Sequence, residues 1–125
     1  MITAVREKAQ TREAPRPVDL VHLSRITFGD RALEREVLGL FLRQSVIQLD
    51  RLKTARTVEG FGMAAHLLKG SAQGIGAAQV AVLASEAEAM AERHATVEAF
   101  DVLARLEVRV AESHLYISEL LSTEQ

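Results

Sequence analysis

Thr57-Val58-Glu59-Gly60-Phe61-Gly62-Met63-Ala64-Ala65-His66-Leu67-Leu68-Lys69-Gly70-Ser71-Ala72-Gln73-Gly74-Ile75-Gly76 is the stretch on which the reading of this chain turns. Phe61, Ala64, Ala65, Leu68, Ala72 and Ile75 recur at three- and four-residue spacing, the period of one helix face. Thr57 can cap the free N–H groups at the start, and Gly74 and Gly76 interrupt the stripe at its end. With His66 at zero and about 100° per residue, Phe61, Leu68, Ala72 and Ile75 fall between about 180° and 240°. Gly62, Lys69, Gly70 and Gln73 fall within about 60° of His66 on the same count. The spacing therefore predicts a helix that buries Phe61, Leu68, Ala72 and Ile75 and holds His66 in water.

The same periodicity extends in both directions. Asp19 can cap a short helix carrying Leu20 and Leu23 on one face, and Gly29 breaks it. From Asp30, a second candidate cap, Val37, Leu38, Phe41, Leu42, Leu49 and Leu52 mark a long amphipathic helix. Downstream, Val80, Leu83, Ala84, Ala87, Met90 and Ala91 form a narrow seam whose small residues permit close helix approach. Thr96 can cap a last helix with Phe100, Leu103, Leu106, Val110, Ile117 and Leu121 on one stripe. No strand alternation competes. Four substantial helices with short connections bury their stripes most economically as an all-α, antiparallel four-helix bundle with a short additional N-terminal helix. Residues 1–17 are polar and end in Ala14-Pro15-Arg16-Pro17, so they are expected to be a mobile tail or a marginal helix ahead of a bundle domain at 18–125.

Composition narrows the function. Residues 1–125 are 48% hydrophobic and 26% charged, a globular balance with room for one core. A formal net charge of -2 with interleaved signs leaves no basic stripe for nucleic acid. The absence of cysteine excludes disulfides and thiolate metal sites. No apolar run approaches the roughly 20 residues needed to span a bilayer, so a cytoplasmic protein without a membrane partner is expected. His22, His94 and His114 lack companions at metal-ligand spacing, and Glu86 and Glu88, two apart, do not make a paired-carboxylate site. Neither a metal nor a cofactor is expected on this chain.

Interest falls on His66. Glycine inside a helix costs about 1 kcal/mol relative to alanine, yet Gly62 and Gly70 stand one turn to either side of His66. The bare backbone suggests that a folded partner approaches the imidazole. Lys69 supplies a positive charge that would offset the roughly two negative charges of a phosphorylated imidazole. Met63 and Leu67 flank this face at about 60° and 100°, as docking residues or as the edge of the core. The neutral imidazole is a nucleophile near pH 7, and its N–P bond is labile enough to pass on.

His66-Leu67-Leu68-Lys69-Gly70-Ser71-Ala72 followed by Gly74-Ile75-Gly76 resembles the signature of histidine-containing phosphotransfer (HPt) domains, and the likeness in helix order runs from about Asp19 to Leu121. The resemblance implies that His66 takes a phosphoryl group from a receiver-domain aspartate and relays it to another response regulator. Its implied partners are receiver domains of response regulators and hybrid histidine kinases, with Mg²⁺ on the receiver. It also implies a Gln or Glu on the next helix that orients the imidazole; by spacing this is Glu88, with a plain solvated glutamate as the other reading. Gly62, Met63, Leu67, Gly70, Gln73 and Gly74 would form the partner-binding surface, while Ser71 fits the motif but points partly into the bundle. Nucleotide loops and a kinase dimerisation motif are missing, so a monomeric phosphocarrier is expected and not an enzyme. The alternatives are a helical adaptor that binds a kinase or receiver without carrying phosphate, and a purely structural bundle.

Overall fold

The computed structural model describes residues 16–123. These form five helices: α1 (Leu20–Thr27), α2 (Arg31–Thr54), α3 (Val58–Ile75), α4 (Ala78–Glu92) and α5 (Thr96–Thr123). The tail expected over 1–17 lies outside the described residues except for Arg16 and Pro17.

Three of the helix starts follow from side chains that accept hydrogen bonds from free backbone N–H groups. Asp19 takes those of Val21 and His22, Asp30 that of Leu33, and Thr57 that of Gly60. The fourth expected cap is displaced. The Ala99 N–H donates to the Ala95 carbonyl at 3.1 Å, so the first turn of α5 closes on Ala95, and Thr96 is its first helical residue. Short links of two or three residues make successive long helices antiparallel. Around the bundle α2 packs on α3, α3 on α4, α4 on α5 and α5 back on α2, while α1 lies against α2.

The core runs along the centre of this ring. Phe41, Leu68, Leu106 and Ile117 are fully enclosed, and Val80, Ala84, Ala87 and Val102 complete the layers around them. The alanines of α4 let it sit close to α3. Leu68, Ala72 and Ile75 are buried as the spacing predicts. Phe61 departs from that expectation. It is half-buried, because the bundle opens at the end where α3 begins and no helix covers its outer edge. Phe100 departs further: it is 74% exposed at the same end, and Val102 takes the buried position on α5.

At the opposite end the chain folds back on itself. Gly76 ends α3 with φ 76°, a left-handed conformation that favours glycine. Its carbonyl accepts from the Asp19 N–H at 3.0 Å, and a Cβ on Gly76 would lie 2.9 Å from that of Asp19. Close approach of the α1 entry therefore requires glycine here. Val18, one residue earlier, is completely buried and anchors the entry in the core.

Candidate functional site

His66 stands near the middle of α3 with its side chain 58% exposed, on the face turned from the Leu68 stripe. Its Nδ1 lies 2.8 Å from Oε2 of Glu88 on α4. Lys69, one turn further along α3, donates from Nζ to the other Glu88 oxygen at 2.7 Å. Glu88 is thus shared by two groups on the neighbouring helix, and all three side chains meet at the α3–α4 seam. The hydrogen bond from Lys69 holds the Glu88 carboxyl below the usual carboxylate range, with that from His66 acting in the same direction against partial burial.

An ionised carboxylate can only accept a hydrogen bond, so this contact assigns the imidazole proton to Nδ1. The neutral ring then carries its lone pair on Nε2. The site presents a basic nitrogen on an oriented, largely exposed ring, the arrangement a nucleophile needs.

The glycines around His66 divide. Gly70 and Gly74 have open space where a side chain would be. Gly62 does not, and the expectation that it forms a bare strip toward a partner is corrected: a Cβ there would sit 3.3 Å from the Cβ of Ala91. Gly62 is where α4 presses on α3. Helical spacing shows the angle from His66 but not where the next helix lies. Met63 is 60% and Leu67 42% exposed, Gln73 is exposed, and Ser71 is half-buried. Together with Gly70 and Gly74, the first three make an open, largely uncharged strip beside the imidazole.

His22 of α1, to which the sequence assigned no role, reaches this strip. Its Nε2 donates to the Gly74 carbonyl at 3.2 Å, placing α1 at the edge of the His66 face. A contact between residues 52 apart leaves no periodic trace in the sequence. His114 is half-buried between α5 and α2, with Nε2 2.6 Å from Ser45 Oγ and its ring edge-on to Phe41 at 6.2 Å. Burial pushes its pKa below the ordinary histidine value. Among the described residues no group of three or more His, Cys, Asp or Glu side chains could hold a metal ion, and no helix is long and apolar enough to cross a membrane.

The five helices of the described residues, with this ring of four and a solvent-facing histidine at mid-helix, have the fold of histidine-containing phosphotransfer proteins. Among solved structures it is similar to the histidine-containing phosphotransfer protein B of Pseudomonas aeruginosa PAO1, with a TM-score of 0.82 over 90% of this chain and 99% of that one. The two share 21% sequence identity. No protein-family model and no curated protein matches the sequence.

Proposed function

We propose that this chain is a phosphorelay carrier that accepts a phosphoryl group on Nε2 of His66 from the phosphorylated aspartate of a receiver domain and passes it to another. The observation that carries this reading is the Nδ1 to Glu88 contact, which leaves the lone pair on Nε2 of a side chain that is 58% exposed. In the transfer the Nε2 lone pair forms an N–P bond while the bond from phosphorus to the aspartyl oxygen breaks and the carboxylate leaves. No proton has to move. The ring keeps its Nδ1–H and gains positive character, which the ionised Glu88 offsets. Lys69, held against Glu88, is within one helix turn of the phosphoryl group and reduces its repulsion with that carboxylate.

Met63, Leu67, Gly70, Gln73 and Gly74 form the proposed docking strip, and the receiver supplies the Mg²⁺. The fold shared with a named phosphotransfer protein supports the same reading. The test is incubation with a phosphorylated receiver domain. Wild type should acquire an acid-labile, base-stable label, and His66→Gln should acquire none while its stability changes by no more than about 0.5 kcal/mol, as for an exposed residue off the core. A label on His66→Gln would place the acceptor elsewhere, and an unlabelled wild type that still binds the receiver would make the chain an adaptor.

A further inference from the structure

The open end of the bundle, remote from Gly76, contains a cavity of about 260 Å³ between the start of α3, the end of α4 and the start of α5. Its walls are Leu52, Phe61, Met90, Ala91 and Leu103, so the core stops short and its apolar interior meets water. At about 30 Å³ per molecule that space equals roughly nine waters, close to the lower end, about 300 Å³, of pockets that hold small ligands. The apolar walls give water few polar partners, and the polar groups of Thr57, His94 and Thr96 join Lys53 and Arg56 in the lining. Phe100, 74% exposed, stands at the mouth.

The rim carries charge of one sign. Lys53 and Arg56 line the cavity, and among the described residues no Asp or Glu does. His94 lines it as well. Lys53 is engaged by Glu107 at 2.7 Å, which leaves Arg56 as the guanidinium through which the rim can meet a ligand. A planar guanidinium matches a carboxylate with two parallel hydrogen bonds, and the walls beneath it match an alkyl or aromatic body.

We infer that this cavity binds a small amphipathic carboxylate, with its apolar body between Phe61, Met90 and Leu103 and its head group on Arg56. The ligand class follows from charge and shape: the walls require an apolar body, the rim an anion, and the volume a chain of about eight carbons. This site is independent of phosphate chemistry at His66.

Octanoate and 1-octanol are the probes, titrated into the full-length isotopically labelled protein. Octanoate should bind saturably, with Kd of about 1 mM or tighter, and shift the amides of the cavity walls. Arg56→Ala, an exposed change that leaves the core intact, should weaken octanoate about tenfold and leave 1-octanol unchanged, because only a charge-assisted contact is lost. Ala99→Phe, which fills the cavity from α5, should abolish both. Unsaturable binding, equal affinity for the two probes, octanoate affinity unaffected by Arg56→Ala, or shifts centred away from the walls would each overturn the assignment.

Discussion

Glu88 serves two partners, and substitutions separate what it does for each. Glu88→Gln retains an oxygen for His66 Nδ1 but loses the charge that holds Lys69; Glu88→Ala removes both. In Glu88→Ala the ¹⁵N shifts of His66 should show that the proton is no longer confined to Nδ1, and transfer should slow about tenfold, as when a reacting group is held out of line. A merely structural glutamate would leave the tautomer unchanged. The pH window is also set by Glu88. Its folded pKa lies below the unfolded value near 4.5, so its stabilising contribution is complete above that value and is lost as pH falls through the lower folded one. At pH 6 to 8, where transfer would be measured, the carboxylate stays ionised. Gly70 and Gly62 give opposite signs on a melting curve. Gly70→Gln should raise stability by several tenths of a kcal/mol, since glutamine is the better helix former and nothing occupies the space, yet slow transfer by crowding the docking strip. Gly62→Leu should melt lower, because its side chain would enter the contact with Ala91. The motif made His66, Lys69 and Gly70 legible in sequence. Gly62 was misread because one helix's periodicity says nothing of its neighbour's distance.

At the level of helices, Ser45 on α2 and Ser113 on α5 are both fully buried, and His114 meets Ser45 across the α2–α5 interface. The lowered pKa of His114 means that the unfolded chain takes up its proton first as pH falls below about 6.5. Stability therefore declines from that pH downward until the folded histidine titrates as well, with a slope of at most about 1.4 kcal/mol per pH unit. Urea denaturation between pH 7.5 and 5 should show this decline in wild type and a flatter profile in His114→Gln. An unchanged profile would mean that His114 is protonated equally in both states. Helix starts were legible where a capping oxygen precedes an apolar stripe, as at Asp19, Asp30 and Thr57. They were less so at α5, where Thr96 lies one residue inside. Phe61 and Phe100 keep the helical period yet one is only half-buried and the other exposed, because a stripe records which face turns inward and not how far along the bundle the core continues.

For the molecule as a whole, the order and hand-to-hand packing of the helices were legible because each carries one apolar face and the links are too short for other arrangements. The pairing of α1 with the end of α3 was not. It depends on a backbone bond between residues 57 apart and on a space that only glycine leaves free. Val18 also belongs to the folded unit, although it follows directly on the polar segment. Val18→Ala should cost about 1 to 2 kcal/mol from the lost buried methyl groups and the void they leave, measured by denaturant unfolding. A cost within about 0.3 kcal/mol would put the entry outside the cooperative core.

The bond from Asp19 to Gly76 also bears on the order in which the chain assembles. The four long helices can zip up as successive hairpins, each closing a loop of two or three residues, which is the low-contact-order route to rapid folding. The bond to Gly76 cannot form until α3 is complete and Gly76 itself has taken its left-handed conformation. Helix α1 can therefore latch onto this end only after α3 has formed. In native-state hydrogen exchange the Asp19 amide should open at a free energy below that of the α3 and α5 interiors, and its exchange rate would time the latch beside the His66 face.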